Sequence, residues 1–183
     1  MKLSVLICTI VERKTVFNIL IAELNKLRDG NSEIEILSEC DNKEMSIGAK
    51  RNLLLSKAKG DYVCSIDDDD WIDSEYFIKI LQALERDPDC VQMIGMMNTD
   101  GFNQKRFEHS IDHFQYFENH DVYYRYPNHL NQIRRDIAIK FKFPESNFGE
   151  DTNWATQIRD SGLLQTEASI DKVIYHYRYK SRK

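Results

Sequence analysis

The chain has 183 residues, 42% of them hydrophobic and 30% charged, with a formal net charge of -5, which fits one globular domain with its own core and excludes fibrous and disordered classes. No apolar run nears the roughly 18 residues that a bilayer span requires, and Met1-Lys2 leads into a short apolar segment instead of a secretory leader, so a cytoplasmic location is expected. The acidic balance also excludes a surface built throughout for nucleic acid, although Arg178 to Lys183 is locally basic and reads as a solvated end.

Leu3 to Thr9 is a nearly continuous apolar run, as in a strand buried on both faces of a parallel sheet. From Lys14 to Leu27 the apolar residues Val16, Phe17, Leu20, Leu24 and Leu27 recur at helical spacing, and Asp29-Gly30 supplies a stop. Glu33 to Leu37 alternates as a strand, and Ser38 to Met45 is polar and turn-like. Ser46 is placed to cap a helix running to Lys59, with Leu53, Leu54, Leu55 and Ala58 inward and Gly60 at its end. Asp61 to Ile66 is a further short strand that stops in four aspartates.

This βαβαβ order implies a parallel sheet with right-handed crossovers, whose ligands sit beyond the carboxyl ends of the strands. The loops after Ile10 and Leu37 and the acidic cluster all fall at that edge. Trp71 to Glu85 reads as a helix with Phe77, Ile78, Leu81 and Leu84 inward, and Val91 to Met97 as a strand. Asn98 to Asn131, rich in His, Tyr, Asn and Asp, has no clean period and is expected to face the substrate. Ile133 to Phe141 and Thr152 to Ser161 read as helices, the latter stopped by Gly162, and Val173 to Tyr179 as a strand. Cys8, Cys40, Cys64 and Cys90 lack the close spacing of zinc or redox motifs and read as reduced core or near-core residues.

Four adjacent carboxylates, Asp67 to Asp70, repel one another unless a cation or solvent relieves them. In an extended chain Asp67 and Asp69 share a face, a pair that suits a hard divalent ion whose shell is completed by substrate phosphates; a solvated turn with an aspartate capping the next helix is the alternative. Lys50 and Arg51 lie on the helix just before, where cations can meet a diphosphate. Phe148-Gly149-Glu150-Asp151 precedes the Trp154 helix, and Asp151 there is a helix cap, a general base ionised at neutral pH, or both.

In Gly48-Ala49-Lys50-Arg51-Asn52, then Ala58-Lys59-Gly60-Asp61-Tyr62-Val63, then Ser65-Ile66-Asp67-Asp68-Asp69-Asp70-Trp71, and at Phe148 to Asp151, the chain resembles the family-2 inverting glycosyltransferases. The resemblance runs from Leu3 to about Arg178 and implies an α/β GT-A nucleotide-diphospho-sugar transferase fold with a central, mostly parallel sheet flanked by helices. It implies a single domain over 1–183, with 1–97 binding the nucleotide sugar and 98–183 binding the acceptor and carrying the catalytic base.

Residue by residue, the resemblance implies that Thr9, Glu12 and Arg13 line the nucleotide pocket, Asp41 bonds the base, Lys50 faces the diphosphate, and Asp67 and Asp68 belong to the donor site. Asp69 would be the principal metal ligand, joined by Asp67 and His176, for Mn2+ or Mg2+. Asp151 would be the catalytic base, with Glu150 holding the acceptor or acting as alternate base. The implied reaction moves a sugar from a nucleoside diphosphate sugar, a UDP-sugar above all, to the hydroxyl of a glycan or another acceptor, a nucleic acid acceptor included, with inversion in one displacement. The first loop, Ile10 to Lys14, departs from the family's usual proline and asparagine.

Two other readings compete. A sugar-phosphate nucleotidyltransferase normally has a glycine-rich phosphate loop after the first strand, and that stretch holds no glycine here. A non-catalytic calcium- or sugar-binding module would use the aspartates alone, but Asp67 to Asp70 lacks the spaced acidic positions and central glycine of a calcium loop. His109, His113, His120 and His129 read as surface or acceptor-pocket residues.

Overall fold

A computed structural model describes residues 1–180. In chain order the elements are β1 (Leu3–Ile10), a 3-10 turn (Val11–Arg13), α1 (Lys14–Arg28), β2 (Ile34–Asp41), α2 (Ile47–Lys57), β3 (Tyr62–Ser65), β4 (Trp71–Ile72), α3 (Tyr76–Leu84), β5 (Cys90–Val91) and β6 (Met93–Thr99). They continue as β7 (Phe102–His109), β8 (Phe117–Glu118), β9 (Val122–Arg125), β10 (Ile133–Arg134), α4 (Arg135–Ala138), α5 (Glu150–Ser161), β11 (Glu167–Ala168) and β12 (Tyr175–Tyr179).

Two six-stranded sheets result, ordered β11-β5-β10-β3-β1-β2 and β4-β12-β6-β7-β9-β8. The expected parallel unit is the heart of the first, since β1 pairs in parallel with both β2 and β3. Leu3, Val5 and Ile7 face one core, packed with α1 and α3 residues such as Leu20, Leu24 and Ile80. Leu6, on the other face, joins Leu54 of α2 and Trp154 and Ile158 of α5. Both faces of β1 are thereby covered, which is why its sequence is apolar without alternation.

Several expectations need correction. The strand expected to end at Leu37 runs on to Asp41, because its backbone pairs residue for residue with β1 up to Ile10 whatever its side chains are. Trp71-Ile72 is a strand paired with β12, so α3 starts only at Tyr76, and Ile78 points outward at 54% exposure. Val16 of α1 is also exposed. Ile133-Arg134 is a strand wedged antiparallel between β3 and β5, leaving only a short α4. The two halves of the chain interleave: β4 and β6 sit in the second sheet, whereas β10 and β11 sit in the first. Cys40 is exposed, and the four cysteines are free thiols. Arg178 belongs to β12 and is no loose end; positions 181–183 of the basic tail lie outside the described residues.

The segment from Phe143 to Asn147 straps the start of α5 onto α2. Asn52 donates to the Phe143 carbonyl at 2.8 Å and accepts from its amide at 3.0 Å. Phe143 stacks on Trp154 at 4.6 Å, and the Gly48 amide donates to the Ser146 carbonyl at 3.1 Å. A Cβ on Gly48 would stand 1.8 Å from the Pro144 carbonyl oxygen, so only glycine lets the strap lie this close. Ser46 caps α2 as expected, accepting from the Ala49 amide.

Gly48→Ala is expected to lower stability by about 2 kcal/mol, the scale of an overpacked backbone contact, read as a lower denaturation midpoint with unchanged slope. A second prediction concerns His109, whose burial holds its imidazole down to about 3 against its hydrogen bond with Asn131. As pH falls from about 6.5 toward 3 the unfolded chain takes up a proton that the folded chain refuses. This site therefore removes up to about 1.4 kcal/mol of stability per pH unit. His109→Gln should flatten the acid limb of stability measured by denaturant titration at each pH.

Candidate active site

The acidic loop follows β3 directly, and each of its first three carboxylates already meets a cation. Asp67 accepts from Arg51 Nη2 at 3.0 Å. Asp68, nearly buried, accepts from the Thr9 hydroxyl at 2.6 Å and pairs with Arg13 at 2.8 Å. Asp69, 26% exposed along its side chain, pairs with the same Arg13 guanidinium. Asp70 points inward, accepting from the Tyr175 hydroxyl at 2.7 Å and the Arg178 amide at 2.8 Å. Burial and then the charge of Asp67 push Asp70 up to about 8. Burial would raise Asp67 too, but the His129 ring and the Arg51 guanidinium outweigh it and hold Asp67 well below the usual carboxylate range.

Arg51 is the joint of the site. Its guanidinium, buried within α2, reaches Asp67 on one side and Glu150 on the other at 3.3 Å, tying the acidic loop to the first turn of α5. Gly149, at φ +73, turns the chain into that helix. Asp151 is its second residue, one-third exposed, with one carboxylate oxygen bonded to the Thr152 amide at 2.7 Å; the helix cap itself is Gly149.

These groups line a cleft of about 1020 Å3 that brings together Thr9, Arg13, Lys50, Asp67, Asp68, Asp69, Glu150 and Asp151. The remaining expected residues are arranged differently. Lys50 is buried, donating to the Thr9 carbonyl at 2.8 Å and pairing with Asp41, so its ammonium is committed to the ends of β1 and β2. Burial raises the Asp41 carboxyl, but bonds from Lys50 and from the Met45 and Lys43 amides together hold it below the usual range. Glu12 is exposed and pairs with Lys43 at 2.7 Å, clasping the loops after β1 and β2. His176 does not join the described residues that line the cleft. It pairs with Trp71 and Met96 across β12, one residue before the part of the strand, from Tyr177 on, that lines the cleft.

Sequence reading grouped His129 with three other histidines as surface or acceptor-pocket residues and gave it no role of its own in the site. It is 6% exposed, and its ring stands between two carboxylates, Nε2 at 3.6 Å from Asp67 and Nδ1 at 3.6 Å from Asp151. Both contacts are too long for hydrogen bonds, and neither ring nitrogen has another partner among the described residues. The backbone fixes it, because the Ser65 amide at the end of β3 donates to the His129 carbonyl at 2.6 Å. Asn131, bonded to the Asn128 amide and the Val91 carbonyl, holds the loop in place. The only signal in the sequence is the polar run Asn128 to Gln132 ahead of an apolar Ile133.

For a divalent metal, no three His, Cys, Asp or Glu side chains converge as a cage among the described residues. Asp69 and Asp67 could offer carboxylate oxygens of the kind that magnesium or manganese takes in ones or twos when phosphates complete the shell; they would have to exchange arginine partners to do so.

A glycosyl transferase family 2 model matches residues 21–154. No curated protein matches the sequence. Among solved structures the fold is similar to that of S. aureus TarS residues 1–349 in complex with UDP-GlcNAc, with a TM-score of 0.73 at 16% identity over 100% of this chain and 60% of that one. It is also similar to a second S. aureus TarS structure, with a TM-score of 0.69 at 16% identity over 97% of this chain and 37% of that one. The chain thus spans 60% of the first and 37% of the second, and at such identity the likeness speaks for a shared GT-A fold alone. With the family model matching well over half of its length, the chain belongs to glycosyl transferase family 2.

Proposed function

We propose that the protein is an inverting glycosyltransferase that moves a sugar from a nucleoside diphosphate sugar, a UDP-sugar first among them, to an acceptor hydroxyl. The observation that carries this reading is the junction of Asp67, Arg51, Glu150 and Asp151 in one cleft, which puts a strand-end carboxylate set beside a carboxylate able to act as base. Family membership and the UDP-GlcNAc bound by the similar TarS structure support a nucleotide-sugar donor.

In this reading Thr9 and Arg13 border the nucleotide, and Asp151 accepts the proton of the acceptor hydroxyl as that oxygen attacks the anomeric carbon. Asp151 lines the cleft with one oxygen held by the Thr152 amide and the other 3.6 Å from His129, an arrangement that restrains its rotation. Glu150, paired with Arg51, orients the first turn of α5 instead of serving as a second free base. Mn2+ or Mg2+ held by Asp69 and Asp67 would supply positive charge to the departing diphosphate. Arg13, released from Asp68 and Asp69, is then free to meet the phosphates.

Thermal-shift titration with UDP-, GDP-, TDP- and CMP-sugars, with and without manganese, is expected to give stabilisation by one nucleotide class that needs the metal and vanishes in Asp69→Ala. No response to any nucleotide under either condition would end the glycosyltransferase reading. With the donor known, Asp151→Asn should lower turnover at least a hundredfold, within the usual range for removing a general base, while donor affinity by calorimetry stays within about threefold.

A further inference from the structure

Next to the main cleft lies a second cavity of about 80 Å3, lined among others by Asp151, Asp67, His129, His109, Tyr123 and Arg125. We propose that this cavity receives an anionic substituent, a carboxylate or phosphate, of one of the two substrates, and that Arg125 is its anchor. The inference rests on the glycosyltransferase reading and names the substrate class that the site selects.

Asp151 and Asp67 line both cavities, so a group bound in the smaller one lies beside the place where a hydroxyl would meet the base. The small volume suits one substituent and not a nucleotide. Arg125 differs from the arginines of the main cleft. Arg13 and Arg51 are each held by two carboxylates, whereas the Arg125 guanidinium has no carboxylate or hydrogen-bond partner among the described residues. Its guanidinium instead lies 5.3 Å from the ring of Tyr116 and 5.6 Å from that of Tyr123. Aromatic faces hold the planar fork in one orientation and leave its N–H edges free, the geometry that pairs bidentately with carboxylate or phosphate oxygens.

The other charges at the cavity leave room for an anion at this end. Asp67 is neutralised by Arg51, Asp151 is held by the Thr152 amide and faces the His129 ring at 3.6 Å, and His109 is kept uncharged by burial. The two unpartnered ring nitrogens of His129 are a second sign of a missing ligand, since buried polar atoms normally have partners. Tyr116, against the Arg125 guanidinium and 44% exposed, offers ring surface at that end for contact with a sugar.

The test uses the full chain as wild type, Arg125→Gln and Arg125→Lys. In one arm, glucuronate and glycerol 3-phosphate are titrated beside glucose and glycerol by ligand-observed NMR, with and without UDP. In the other, UDP-glucuronate is compared with UDP-glucose by calorimetry. The expected result is at least tenfold tighter binding of the charged member in one arm, lost in Arg125→Gln, weakened in Arg125→Lys, with UDP affinity unchanged throughout. A preference in the first arm assigns the anion to the acceptor, and in the second to the donor sugar. Equal binding of charged and neutral members in both arms overturns the proposal, as does a preference that survives Arg125→Gln. Should Arg125→Gln fail to bind UDP, Arg125→Lys decides alone: a preference as strong as in wild type overturns it. If wild type binds no UDP at all, the donor reading has failed, and the arm without nucleotide still reads Arg125 by itself.

Discussion

The site hangs on one buried guanidinium. Arg51 is charged inside the protein, and its two carboxylate partners come from segments far apart in the chain, the end of β3 and the start of α5. A buried charge is tolerated only when it is paired, and removing either partner of such a set costs about 3 to 5 kcal/mol. Helix α5 is thereby tethered to the acidic loop, and with it the Glu150-Asp151 turn. The strap from Phe143 to Asn147, the Gly48 contact and the Phe143–Trp154 stack are the packing that lets this electrostatic joint form at close range.

The same logic extends across the cleft floor. Lys50 answers Asp41, Arg13 answers Asp68 and Asp69, and Arg51 answers Asp67 and Glu150. A chain carrying four consecutive aspartates can fold because Arg13 and Arg51 face the first three and Tyr175 with the Arg178 amide holds the fourth. A phosphate or metal ion entering such a site would have to exchange these ion pairs. The exposed end of the network, Arg13 with Asp69, is where exchange is easiest, and the buried end, Lys50 with Asp41, is where the framework stays fixed.

Much of this was legible in the sequence where a single physical rule governs. The apolar run of β1, the Ser46 cap, the helical spacing of α1 and the arrest of β3 in aspartates are local patterns, and each is found at its expected place. What escaped depends on distant partners. Two-residue strands such as Ile133-Arg134 and Trp71-Ile72 are too short for any period, and only the sheet they join makes them strands. Ile78 satisfies a helical stripe but lies just outside the arc that α3 buries. His129 owes its position to the Ser65 and Asn131 bonds, and the Arg125 guanidinium owes its freedom to having no carboxylate paired with it among the described residues. Neither is encoded in neighbouring residues.

Tyr175 gives the architecture a temporal side. Its hydroxyl donates to Asp70 and accepts from the Asp67 amide at 3.3 Å, a contact spanning more than a hundred residues of sequence, and its strand lies between β4 and β6. Contacts of such long range are slow to form because a large loop must close first. During synthesis the parallel strands and their helices can assemble while the acidic loop still lacks its inner anchor. The loop takes its final shape only when β12 docks, so the cleft is completed after the parallel sheet that carries it.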